Sequence, residues 1–294
     1  MGEKKKSGGK AGQKRKRYNV GVIVAERYLR EERSFYWQVY QELSIHASEI
    51  KVFLLLEVIE AEQEAALETP NLLQQDKVDG LIVFGPFSSL YLRKLMEQVS
   101  VPVVSLDSRY EDVWGDAVMA DNVSGGYLMT KYLLELGHRE IGFVGTLQVT
   151  PSIDNRFLGF VKALRYYGLQ PEDAWMVEDR DRNLGMVGVE GTFLLPEGRM
   201  PTAFFCNCDF SAKLLIEKLQ KCNYSVPEDI SVVGFDDYLV EQGEVPGITT
   251  YGVDVLEMSK MALKLLLERV EEPEQPEKIV LIRGRLIKAY HLPS

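Results

Sequence analysis

The chain has 294 residues, length enough for about two domains of ordinary size. Its 46% hydrophobic and 27% charged residues are ordinary for a globular protein and exclude a wholly disordered one. The net charge of −10 is unevenly placed: residues 1–17 hold eight Lys and Arg against one acid, Glu3, and so carry +7, leaving −17 on the other 277 residues. An acidic body of this kind repels a phosphate backbone, so nucleic-acid binding by the body itself is not expected.

The basic segment 1–17 is rich in Lys, Gly and Ser, has no apolar residue larger than Ala after Met1, and is read as a disordered tail or linker. It is either a solvated tail or the link to a DNA-binding domain. The apolar stretch behind it, 20–25, is too short for a signal-peptide core and runs directly into Glu26 and Arg27. No run approaches the roughly 18 apolar residues of a membrane helix. Cys206, Cys208 and Cys222 are too few for a disulfide scaffold. A cytoplasmic protein with no membrane partner is expected.

From Tyr18 onward, short apolar runs alternate with amphipathic stretches. The runs at 20–25, 51–56, 79–84, 101–106, 141–145, 201–206 and 230–235 are near-continuous and β-branched, as buried parallel strands are. Helices are predicted over 122–136, with Gly137 as a stop, and over 155–167. A third is predicted over 209–221, with Asp209 as N-cap, and a fourth over 254–270, with Pro273 beyond its end. This order predicts an α/β fold of two Rossmann-like units with parallel sheets and a ligand cleft where the carboxyl ends of the strands face each other. Those ends carry Glu26, Gly85-Pro86, Asp107, Asn207 to Asp209, and Asp236-Asp237.

Cofactor and metal chemistry find no motif. No G-x-G-x-x-G, Walker A or G-x-S-x-G sequence occurs, and none of the three histidines lies at ligand spacing from Cys206-Asn207-Cys208. The candidate site residues instead suit a polyhydroxylated ligand. Asp107 and Asp236 accept from hydroxyls, Arg156 donates in a fixed fork, and Phe35, Tyr36 and Trp37 offer apolar faces.

Four motifs then become recognisable: Leu136-Gly137-His138-Arg139-Glu140-Ile141-Gly142-Phe143-Val144-Gly145; Asn155-Arg156-Phe157-Leu158-Gly159-Phe160; Val226-Pro227-Glu228-Asp229-Ile230-Ser231-Val232-Val233-Gly234-Phe235-Asp236-Asp237; and Pro246-Gly247-Ile248-Thr249-Thr250. Val78 to Ile82 and Asp121-Asn122 add to them. In order and spacing they resemble the effector-binding domain of the LacI/GalR family of bacterial transcription regulators, from about Tyr18 to the C-terminus. The resemblance implies a periplasmic-binding-protein-like type I fold with three crossings, placed near 122, 252 and 277. The N-terminal subdomain would then be 18–122 with 253–276, and the C-terminal subdomain 123–252 with 277–294. It also implies a homodimer and a cleft that closes on a sugar or related metabolite, with no enzymatic activity. Ligand contacts fall on Arg156, Asp236 and Asp107, with Phe35 and Tyr36 as cleft aromatics.

Departures from the family pattern bear on the effector. Glu26 and a charged insert, 27–33, stand where the family has an Asp and a short "NPF" segment. Cys208 replaces a common ligand-contacting Asn, leaving Asn207 beside it as a candidate. Arg180, Asp181, Arg182 and Asn183 stand where a cleft aromatic is frequent. A more polar or charged effector than a plain hexose is expected. The family's helix-turn-helix is not in this sequence, so operator contact through this chain alone is not expected. A solute-binding protein of a sugar transport system is the alternative reading of the same fold.

Overall fold

A computed structural model describes residues 17–29, 34–74, 77–113, 115–182, 185, 187–188, 192–238 and 247–289. Residues 1–16 of the predicted tail 1–17, most of the charged insert, Asn183, Pro246 and His291 lie outside the described residues.

The first lobe is a six-stranded parallel sheet. Its strands are β1 (Asn19–Ala25), β2 (Phe53–Ile59), β3 (Gly80–Phe84), β4 (Val103–Leu106), β5 (Asp116–Ala120) and β11 (Ile279–Ile282), in spatial order β11-β5-β4-β3-β1-β2. Alternation along β1 explains how both faces are covered. Val20, Val22 and Val24 pack with α1 (Phe35–Glu49) and α8 (Val255–Glu271), while Ile23 and Ala25 pack on the other face with Tyr91, Leu92 and Leu95 of α4 (Ser89–Gln98). Two short helices, α2 (Ala61–Ala65) and α3 (Asn71–Gln74), join β2 to β3.

The second lobe is a four-stranded parallel sheet of β6 (Ile141–Val144), β7 (Met176–Val177), β8 (Ala203–Cys206) and β9 (Ser231–Val233), ordered β7-β6-β8-β9. Flanking it are α5 (Asn122–Glu135), α6 (Pro151–Tyr166) and α7 (Asp209–Lys221). The antiparallel pair β10 (Thr250–Gly252) and β12 (Arg285–Ile287) lies beside it, and Thr249 bridges to Val233 of β9. Phe143, Phe160, Phe205 and Phe235 are fully buried in its core.

Side-chain caps set the helix starts. Ser34, Ser88, Asp121, Thr150 and Asp254 each accept from a backbone N–H three residues on. Gly137 takes φ +102° just after α5, as a helix stop requires. At α7 the expected cap is corrected: Cys208 is the N-cap, with its Sγ 3.5 Å from the Ser211 N–H. Asp209 is instead the first helical residue, and its buried carboxylate accepts from the Thr250 hydroxyl at 2.6 Å. Helix α6 begins four residues before the predicted 155, because Thr150 caps it and Pro151 occupies its first turn.

The chain passes between the lobes three times: from β5 into α5, from β10 into α8, and from β11 into β12. The last passage lies at Arg283-Gly284 and not near 277, because the apolar run Ile279–Ile282 adds to the free edge of β5 before the chain leaves the first sheet. The passages are tied together. Asp121 N–H donates to the Ile282 carbonyl at 2.9 Å, and Gly284 N–H donates to the Tyr251 hydroxyl at 2.7 Å.

Candidate functional site

Strand ends of both sheets meet in a cleft of about 180 Å³ between the lobes. At roughly 10–15 Å³ for each water-sized position, that volume suits a metabolite of about a dozen non-hydrogen atoms.

On the first-lobe wall, Asp107 follows β4 directly, with φ +69° turning its carboxylate into the cleft. The Tyr36 hydroxyl, from the first turn of α1, donates to Asp107 Oδ2 at 3.3 Å. The other oxygen, Oδ1, is buried and meets no partner among the described residues. Burial pushes the Asp107 carboxyl up to about 7; Arg156 opposes that rise and Asp236 adds to it. Desolvation also holds the Tyr36 phenol well above its ordinary value, so it stays a donor. Phe35 meets Tyr36 edge-on at 5.6 Å between ring centres, and the Tyr28 ring lies 4.6 Å from Tyr36 on the other side.

On the second-lobe wall, Arg156 and Asp236 form a buried ion pair, 2.9 Å from Nη2 to Oδ1. Arg156 is held from four directions. Its Nε donates to Asn122 Oδ1 at 2.8 Å, its Nη1 donates to the Asn207 carbonyl at 2.5 Å, and its guanidinium lies 3.9 Å from the centre of the Phe235 ring. Burial raises the Asp236 carboxyl and Arg156 draws it back. Of the paired aspartates, Asp236 faces the cleft and Asp237 is exposed.

Beside this pair lies a second buried group. Asp179 accepts from Arg180 Nη2 at 2.8 Å, Asn207 Nδ2 at 2.6 Å and the Ser211 hydroxyl at 2.5 Å. Burial pushes the Asp179 carboxyl up, but Arg180 and these hydrogen bonds outweigh it and hold the group well below the usual carboxylate range. The Asn207 amide is spent here: Nδ2 also donates to the Val144 carbonyl, and Oδ1 accepts from Arg180.

Six of the eight residues singled out in the sequence therefore line one cleft: Phe35, Tyr36, Asp107, Arg156, Asn207 and Asp236. Trp37 does not, and its indole Nε1 donates to the Leu29 carbonyl at 3.1 Å instead. Glu26 does not either. The 3-10 turn Glu26–Tyr28 directs Arg27 and Tyr28 to the cleft in its place, since each residue of such a turn rotates by about 120°. Sequence reasoning noted Asn122 only as part of a motif, without a place at the site, and passed over Asp179. The alternation of acids and arginines from Glu178 to Arg182, straight after β7, is the signal that marks Asp179.

The model of the periplasmic binding protein-like domain matches residues 130–288, more than half of the sequence. The chain belongs to the periplasmic binding protein-like domain family. It is similar to the HTH-type transcriptional repressor PurR of Glaesserella parasuis, 32% identical over 71% of this chain and 62% of that protein. It is also similar to the ribose operon repressor of Haemophilus influenzae, 29% identical over 71% and 63%. The chain thus spans less than two thirds of the length of these relatives. Among solved structures, a CelR transcriptional regulator–cellobiose complex aligns with a TM-score of 0.78 at 21% identity, covering 92% of this chain and 83% of that one. A LacI family regulator from Enterococcus faecium with bound ribose aligns at 0.72 and 22% identity, covering 92% and 97%. At such identities the likeness is one of fold.

Proposed function

We propose that this chain is the effector-sensing core of a LacI-type transcriptional regulator. In this reading it binds a small polar metabolite, a sugar or sugar derivative, between its lobes. The observation that carries it is the pairing of walls. Asp107 and Tyr36 on one lobe face the Arg156–Asp236 pair on the other, so a hydroxylated ring between them is gripped by both. Binding, not catalysis, is the role assigned to Asp107, Arg156 and Asp236, with Phe35 and Tyr36 as apolar faces; Asn207 positions Arg156 and Arg180. The PurR relatives favour a purine base as a second reading of the same cleft.

A ligand that touches both walls binds the closed arrangement best and shifts the lobes towards it. In the intact protein this shift would alter operator affinity through a helix-turn-helix outside this sequence, in the cytoplasm. A homodimer is part of the proposal: edge strand β2 leaves Phe53 57% and Val58 39% exposed, surface that a second copy would cover. Light scattering coupled to gel filtration tests that element.

A thermal-shift series with ribose, cellobiose, glucose and hypoxanthine tests the sensor reading. A ligand at 100 times its Kd stabilises by about 2.7 kcal/mol, which for a chain of this size raises Tm by on the order of 5 °C. The shift should vanish in Asp236→Asn. A ligand that shifts parent and variant alike binds elsewhere and sinks the assignment.

A further inference from the structure

The cleft does not end at Tyr28. A second chamber of about 330 Å³ adjoins it and shares Arg27, Tyr28 and Gly185 with it. The partition between the two is the Tyr28 side chain. The Tyr28 ring has Tyr36 at 4.6 Å on one side and the Arg27 guanidinium at 4.9 Å from its centre. Tyr36 lines the first chamber alone, whereas Tyr28 and Arg27 line both.

The second chamber is built like a binding surface. Its polar groups are fixed before any ligand arrives. Glu64, 7% exposed, accepts from Arg27 Nη1 at 2.5 Å and from the Ser88 N–H at 2.6 Å; Arg27 Nη2 also donates to the Pro86 carbonyl at 3.0 Å. From the opposite lobe, Arg182 donates to the Leu147 carbonyl at 3.1 Å. Such preorganisation lowers the cost of ordering side chains on binding. Tyr28 and Tyr110 add aromatic walls, and Ala61 and Ala65, one turn apart on α2, leave the room open. Like the first chamber, it takes walls from both lobes, with Val149 and Arg182 opposite α2.

We propose that the ligand is a glycoside of two ring-sized units. One hydroxylated ring sits between Asp107 and Arg156–Asp236, and the second ring passes Tyr28 into the chamber of Arg27, Glu64 and Arg182. The proposal rests on the sensor reading above and specifies the ligand class of that site. The second ring is a sugar or a nucleobase; both present flat or apolar faces to tyrosine and polar edges to arginine and glutamate.

Titration calorimetry of the full chain with matched probes tests it: glucose and cellobiose, galactose and lactose, ribose and inosine, with hypoxanthine as the base alone. In at least one set the two-ring compound binds about tenfold tighter than its single rings, the worth of one or two added hydrogen bonds. Ala61→Trp, at an exposed position, fills the chamber from α2, and Val149→Trp fills it from the other lobe. Each should remove the gain and leave single-ring affinity unchanged, and circular-dichroism melts check that both variants fold. A gain with inosine marks a nucleobase, and a gain with cellobiose or lactose marks a second sugar. A single ring that binds with no gain from the second, or a gain that survives both Trp variants, overturns the proposal and leaves the sensor reading standing. Silence from every probe overturns both.

Discussion

The Tyr36 hydroxyl donates to one oxygen of Asp107, and the other oxygen of that buried carboxylate meets no partner among the described residues. Folding therefore takes a carboxyl group out of water and returns one neutral hydrogen bond. The carboxyl rises from 3.8 to about 7, with burial as the main cause. The folded protein keeps this proton after the unfolded chain has lost its own, so the group's contribution is present below about pH 4 and is lost as pH rises to about 7. The size is on the order of a few kcal/mol. Asp107→Asn removes the titration. The difference in Tm between variant and parent should move in the variant's favour from pH 4 to pH 8. Parallel curves over that range would show that Asp107 does not titrate there.

Asp179 works in the opposite direction. Its carboxylate is held low, so its stabilising contribution is present above about pH 4 and is lost as pH falls. Asp179→Ala should lower Tm at pH 7, and the gap to the parent should only begin to narrow below about pH 4. The same variant should loosen Asn207 and with it Arg156, whose Nη1 donates to the Asn207 carbonyl. Ligand affinity should therefore fall at pH 7 although Asp179 is not among the residues lining the cleft.

Arg156→Ala strips the partner from buried Asp236 and leaves Asn122 Oδ1 and the Asn207 carbonyl without their donor. Breaking a buried pair from one side costs about 3–5 kcal/mol. Denaturant unfolding should show most of that loss. Arg156→Ala combined with Asp236→Ala should recover part of it, because no lone charge remains buried. Equal loss in the single and double variants would mean that the pair is not coupled in the fold.

Helices α5 and α6 touch through their backbones. A Cβ on Gly159 would lie 2.2 Å from the Val123 carbonyl oxygen, and one on Gly126 would lie 2.2 Å from that of Arg156. Gly159→Ala must push α6 away and carry Arg156 with it. A loss of about 1–3 kcal/mol or more in stability is expected, together with weaker ligand binding. A neutral substitution would show that the contact relaxes without cost.

The three cysteines give an independent probe of the cleft. Cys222 is exposed, Cys208 lines the cleft and Cys206 is fully buried. Burial raises the thiols of Cys206 and Cys208. Alkylation at pH 8 should modify Cys222 first, Cys208 slowly and Cys206 only after unfolding. A ligand in the cleft should slow Cys208 alone.

The buried parallel strands were legible because both of their faces are covered, which leaves unbroken runs such as Val20–Ala25 and Gly80–Phe84. The crossing strands were not. β10 and β12 have three residues each, and their partners lie far along the chain, so neither period nor length marks them. The motifs led to Arg156 and Asp236, although the reason for their neighbours is structural. His138 joins the Thr202 and Ser231 hydroxyls at the starts of β8 and β9, and Gly159 lets two helices meet. Glu26 was misplaced by its strand: reading one residue past β1 assumes the extended direction continues, and the 3-10 turn ends it. The second chamber was out of reach, because Arg27, Glu64, Tyr110 and Arg182 come together only through tertiary folding.

The three passages between the lobes are hydrogen-bonded to one another, and this restricts how the molecule moves. With Asp121 fastened to Ile282 and Gly284 to Tyr251, the three passages are coupled, and twisting one of them strains the others. Each such bond is worth about 0.5–1.5 kcal/mol net, so motions that carry all three passages together cost least. A ligand that draws the lobes together is then reported chiefly as an angle between them, and two ligands of different shape would differ chiefly in how far they close it.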